Sequence, residues 1–251
     1  MAKSGLSCRF QQCVPGSSPR RLTAEVAARL LPVLEQQRDL DIDPEHRGSC
    51  YARDRLAGEW DHVRRAVAGS GGEGNRFVAA LDALVASFGQ VELPSEDLVH
   101  GDFRLDNVLL RSGRVAAVID IAALGSGTRA FDYATLLTVD DIDRTGGNLT
   151  RAAGEQVAGP GLLAHCFALA ALDLADFVRQ RYRDFRGPRL FQQVRAQSDA
   201  AGDHLHATGA SSPPGRSYPR ASYVPSRSRW RRLGGVRGAA VGYRSVSVLQ
   251  P

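Results

Sequence analysis

The 251-residue chain is 43% hydrophobic, enough to bury the core of one or two domains. It has no apolar run near the length needed to cross a bilayer, and its opening MAKSGLSCRF has no secretory character, so a cytoplasmic protein without a membrane partner is expected. Four cysteines without a CxxC pair exclude a disulfide framework, and the net charge of +5 is concentrated at one end. From Ala207 to Pro251 there are eight arginines and no acid, which leaves 24 basic and 27 acidic residues before them. The body is therefore mildly acidic and is not expected to bind nucleic acid.

In chain order, Thr23 caps a helix carrying Glu25 in its first turn and Val26, Leu30, Val33 and Leu34 at helical spacing, with Pro32 expected to kink or divide it. Residues 53–67 form a second candidate helix through Leu56, Trp60 and Val63. A third spans 76–88 through Phe77, Leu81, Leu84, Val85 and Phe88, and Gly89 stops it. Between the second and third, GSGGEG satisfies G-x-G-x-x-G through Gly69, Gly71 and Gly74. That pattern grips phosphate only where a strand feeds it, so here it reads as a helix-to-helix connection. Residues 129–139, about 162–183 and about 188–200 also show helical periodicity. The stretch TVDDID offers Asp140, Asp141 and Asp143 as an acidic loop after the first of these.

Strand signals occur in one place only. NVLL at 107–110 and VAAVIDI at 115–121 flank the turn RSGR and predict a β-hairpin. It follows LVHGDFRLDN, a polar loop between apolar walls, with Asp102 and Asn107 on the loop and Asp120 at the end of the second strand. Such groups on a rigid frame suit phosphoryl transfer. A carboxylate accepts the proton of an attacking hydroxyl, and an amide oxygen with a second carboxylate holds Mg²⁺ against nucleotide phosphates. The spacing H-x-D-x-x-x-x-N from His100 to Asn107 is that of a kinase catalytic loop.

VHGDFRLDNVLL followed by VIDIAALGSGTRAFDYATLL resembles the aminoglycoside phosphotransferase and choline kinase-like branch of the protein-kinase-like fold. The matching positions are His100, Gly101, Asp102, Asn107, Ile119, Asp120, Gly125, Asp132 and Ala134. The resemblance implies Asp102 as catalytic base, Asn107 and Asp120 as ligands of Mg²⁺ and thereby of ATP, and His100 as a residue that orders the loop. Asp132 is implied as a brace for the loop or a cap for the helix beginning near Arg129. The substrate implied is a small hydroxyl-bearing compound.

The expected fold is α+β and mainly helical, a kinase-like C-terminal lobe with one small hairpin. The expected domains are a segment like the link between lobes at 1–21, the C-lobe at 22–203, and a disordered basic tail at 204–251. The sequence before His100 reads as helices and holds the single lysine of the chain, Lys3. No N-terminal lobe with a glycine-rich cover and a strand lysine is therefore expected, and an impaired phosphotransferase is expected. The alternatives are a silent C-lobe that binds a ligand or partner, and a nucleic-acid-associated protein acting through the tail.

Overall fold

The computed structural model describes residues 13–42, 60–94, 96–182 and 192–194. Helix α1 (Ala24–Glu35) begins where the Thr23 hydroxyl accepts the Val26 N–H at 3.2 Å, the cap read from the sequence. Pro32 lies inside α1 without dividing it, so of the two expected effects, a kink or a division, division does not occur. The missing N–H falls one turn from the helix end, where the fold keeps the chain helical while Leu30 and Leu34 bury completely.

Helices α2 (Trp60–Ala68) and α3 (Gly72–Ala86) meet through the glycine-rich stretch. Its last glycines belong to α3, which starts four residues earlier than its periodicity indicated. A side chain at Gly74 would collide with the carbonyl of Val67, so the glycine serves close helix packing. Phe77, Val78, Leu81 and Leu84 form the buried face of α3, and Gly89 follows it at φ 69°.

The predicted hairpin is present as β2 (Val108–Arg111) and β3 (Arg114–Val118), antiparallel, with Val108 opposite Val118 and an irregularity between Leu109 and Leu110. Ser112 and Gly113 both have positive φ, as a two-residue turn matched to strand twist requires. A second antiparallel pair was not expected: β1 (Asp97–Val99) runs beside β4 (Gly125–Gly127), with Leu98 opposite Ser126. Gly-Ser-Gly has no strand propensity, so tertiary context alone makes it a strand.

Helix α4 (Ala130–Leu137) is buried at every position. Helix α5 (Arg144–Tyr182) touches α1, α2, α3 and α4 alike. It breaks at Gly159, at φ 74° and ψ 159°, a conformation open essentially to glycine alone, and Pro160 then opens the second arm. The arm 160–182 matches the expected helix, whereas 144–158 was not read as helical. Leu163, Phe167, Leu169 and Leu172 of the second arm meet Tyr133 and Leu136 of α4, Phe77 and Leu81 of α3, and Leu30 and Leu34 of α1 in one core. By length and composition α5 is apolar enough to cross a membrane, but 61% of that apolar window is buried inside the protein. Its apolarity therefore has a place in the core.

The expected helix segments at 53–59 and most of 188–200 lie outside the described residues, as does the tail from 204. Within 13–21 the chain is irregular, and Ser17 bridges to Leu110 of β2.

Candidate active site

Strand β1 is buried at all three positions and delivers the chain to His100, which is 3% exposed. The imidazole is used from both sides. Its Nδ1 accepts the Asp102 N–H at 3.3 Å, which leaves Nε2 to donate to the Ile119 carbonyl at 3.0 Å. Phe103 stands edge-on to the ring with centroids 5.8 Å apart. A histidine bonded to backbone on both nitrogens shapes the loop and has neither nitrogen free to take a proton from a substrate.

Gly101 has φ 81°, and a Cβ there would stand 2.7 Å from the Ala123 carbonyl oxygen. The position therefore admits glycine on both counts. Its N–H donates to Asp132 Oδ1 at 2.9 Å, while the His100 N–H donates to Asp132 Oδ2 at 2.7 Å. Asp132, in the first turn of α4, is fully buried. Burial pushes its carboxyl above the ordinary aspartate value, against the pull of His100, the two backbone N–H groups and Gln37.

Asp102 is half-buried, and burial likewise pushes its carboxyl up; Arg104, the Asn107 hydrogen bond and His100 oppose that, and Asp106 adds to it. The Asn107 amide nitrogen donates to the Asp102 carbonyl at 2.9 Å and to Asp102 Oδ2 at 3.0 Å. Oδ1 of Asp102 and the amide oxygen of Asn107 take part in neither bond. Asn107 closes a 3₁₀ turn, Leu105–Asn107, and its carbonyl accepts the Ile119 N–H at 2.8 Å. Asp120 comes next, in the left-handed region at φ 62° and ψ 56°. An aspartate tolerates that conformation better than most residues but still carries strain there, a signature concentrated at functional sites. Its side chain makes no capping bond to the turn Ile121–Ala123 that it precedes.

Three ties thus hold the loop to the segment after β3: the bond from His100 to Ile119, the bond from Ile119 to Asn107, and the close approach of Gly101 to Ala123. They put Asp102, Asn107 and Asp120 on adjoining pieces of backbone. An amide oxygen and a carboxylate are hard oxygen donors of the kind that Mg²⁺ uses when phosphates and waters complete its shell. Among the described residues no group of three or more His, Cys, Asp or Glu is placed to hold a metal by itself. The donor set fits a cation delivered with a nucleotide better than one caged by protein.

The acidic stretch divides its residues. Asp143 accepts the Gly146 N–H at 2.6 Å at the start of α5, and Asp141 pairs with Arg21 at 3.2 Å on the surface, while Asp140 is exposed. A cavity of about 1050 Å³ lies elsewhere, against Glu35, Arg38, Asp97, Arg129, Tyr133 and the break in α5, and includes none of the three candidate residues. Part of its charged lining is engaged with itself: Arg129 reaches Asp97 at 3.0 Å and Glu35 at 3.4 Å, and Glu35 accepts the Tyr133 hydroxyl.

One contact of the loop's brace had no counterpart in the sequence reading. Gln37, just beyond α1, donates its amide to Asp132 Oδ2 at 2.8 Å across 95 residues of chain. No local pattern announces a pairing at that separation.

The model of the phosphotransferase enzyme family matches residues 2–173, well over half of the chain. No curated protein matches the sequence significantly. Among solved structures, the chain is similar to the macrolide 2′-phosphotransferase MphH from Brachybacterium faecium, at 17% identity and TM-score 0.48, covering 82% of this chain and 70% of that one. It is also similar to a thermostable mutant of the aminoglycoside phosphotransferase APH(4)-Ia, at 16% identity and TM-score 0.44, covering 80% and 72%. A streptomycin–ATP ternary complex of APH(2″)-IIa matches at 16% identity and TM-score 0.41, covering 70% and 62%.

Proposed function

We propose, because the chain belongs to the phosphotransferase enzyme family, that it transfers the terminal phosphoryl group of ATP to a hydroxyl of a small molecule. The observation that carries this reading is the state of Asp102: half-buried, turned by the Asn107 amide, and left with one carboxylate oxygen uncommitted. In the reaction, Oδ1 of Asp102 takes the proton of the acceptor hydroxyl as the hydroxyl oxygen forms its bond to the γ-phosphorus. The bond from that phosphorus to the bridging oxygen breaks, and ADP leaves with the electron pair. Asn107 and Asp120 would hold Mg²⁺, which when bound neutralises charge on the phosphates. His100 and Asp132 hold the loop in shape and touch no reacting atom.

Turnover by this chain on its own is proposed to be slow. The lysine that grips phosphates in kinase-like sites has one candidate in the whole sequence, Lys3, and the glycine-rich stretch 69–74 joins two helices. Loss of a single preorganised donor in such sites costs roughly 10²–10³ in rate. The protein is proposed to act in the cytoplasm, without a membrane or nucleic-acid partner, since the one described helix long and apolar enough to cross a membrane is largely buried in the core and the first 206 residues are mildly acidic. The test is transfer of labelled phosphate from Mg-ATP to aminoglycosides, macrolides, choline and sugars by the full chain, with Asp102→Asn and Asp120→Ala as controls.

A further inference from the structure

Gln37 sits outside every motif, yet the geometry around it is specific. It follows the end of α1, where its N–H donates to the Leu34 carbonyl at 3.2 Å. Its own carbonyl accepts the Leu98 N–H of β1 at 2.9 Å, and two residues on the Asp39 N–H donates to Asp97 at 3.0 Å. The segment 37–39 is therefore strapped along β1, the strand that leads directly into His100. From this fixed point the side chain, 7% exposed, sends Nε2 to Asp132 Oδ2 at 2.8 Å. The same oxygen takes the His100 N–H at 2.7 Å.

The other half of the amide shows that packing alone does not account for the residue. Oε1 of Gln37 is buried without a hydrogen-bond partner among the described residues. A buried, unpaired carbonyl is a standing cost, which a methionine of the same length would avoid. The opposite amide orientation would aim Oε1 at the Asp132 carboxylate, so the donor is pinned toward it.

We infer that Gln37 is a positioning residue for the catalytic loop, fixing the Asp132 carboxylate that clamps the His100 and Gly101 N–H groups and so aiming Asp102. The inference rests on the proposed role of Asp102 for its functional meaning. Its structural content is tested without turnover. With the third donor gone, Asp132 is held by the two loop N–H groups alone and those groups lose a firmly fixed acceptor, while the core around α5 keeps its contacts.

The experiment is amide hydrogen exchange on the full chain, comparing the native sequence with Gln37→Met, Gln37→Asn and, as a general destabiliser, Val67→Ala in the core. Gln37→Met removes the donor and keeps the length, and Gln37→Asn withdraws it by one methylene. Either suffices should the other fail to fold. Residues 98–107 are expected to exchange at least tenfold faster in the Gln37 variants while residues 163–172 of α5 stay near the native rate, and Val67→Ala should speed both segments alike. Exchange of 98–107 at the native rate in the Gln37 variants would overturn the inference, as would loop and α5 accelerating by one common factor. The functional reading fails separately, if Asp102→Asn leaves phosphoryl transfer intact.

Discussion

A carboxyl that must both survive burial and accept a proton leaves its mark on pH dependence. Burial holds the Asp102 carboxyl above its ordinary value of 3.8, and the base works only when ionised. The acid limb of kcat/KM is therefore expected at a higher pH than a solvent-exposed aspartate would give, and a limb at or below the ordinary value would count against Asp102 as the base. The same burial has a consequence for stability. A carboxyl whose folded pKa is raised favours folding most when protonated, and this contribution is lost as pH rises from the unfolded value through the folded one. At neutral pH the charged Asp102 is thus a burden on the fold. Asp102→Asn is expected to keep or raise the thermal midpoint at pH 7, with the difference from the native chain closing below about pH 3.8. Thermal melts across that range would show it, and a lower midpoint at pH 7 would mean that Asp102 is a structural ion. The nearness of Asp102 and Asn107 was legible because the two lie within six residues of chain. Asp132 could be singled out from its motif, but Gln37 could not, because its amide acts at the end of a contact that only the folded chain brings about.

Among the elements, local signals were the readable ones. The hairpin β2–β3 carries its own alternation and a turn with two positive-φ positions, and α1 carries a capping threonine. The pair β1–β4 carries nothing of the kind: one strand has three residues, the other is Gly-Ser-Gly, and the segment after α1 is bonded to both, through the Leu98 N–H to the Gln37 carbonyl and the Ile42 N–H to the Ser126 hydroxyl. The arm 144–158 of α5 was hidden by Gly146, Gly147 and Gly154, which lower helix propensity. Their absence of side chains is used instead for packing, since a Cβ at Gly146 would strike the Leu22 carbonyl and one at Gly154 would come within 2.9 Å of Leu163. The loop element offers a direct comparison of strain with crowding. Gly89 and Gly101 both have positive φ, but a Cβ meets open space at Gly89 and the Ala123 carbonyl at Gly101. Gly89→Ala is expected to cost about 1 kcal/mol from backbone strain alone. Gly101→Ala adds overpacking to that strain, for roughly 2–4 kcal/mol in total. Denaturant midpoints at unchanged m-value would measure both, and equal losses would mean that Ala123 yields freely.

At the scale of the whole molecule, one helical core built on α5 supports two short strand pairs, and the loop between them bears the proposed chemistry. Composition made the presence of a core legible, apolar periodicity the helical character, and the histidine-to-asparagine motif the family. Neither could show the cavity of about 1050 Å³ beside Arg129, whose lining comes from α1, β1, α4 and both arms of α5. The central claim is that this chain moves phosphate through Asp102, and one measurement reaches it directly. Purified full-length protein is incubated with γ-labelled Mg-ATP and the acceptor panel, and label is followed into each acceptor beside the Asp102→Asn variant. The account predicts Mg²⁺-dependent transfer to at least one hydroxyl-bearing acceptor, below about 0.1 per second if turnover is as slow as proposed, and reduced at least 100-fold in the variant. Label reaching no acceptor, or reaching one equally well in Asp102→Asn, would contradict it.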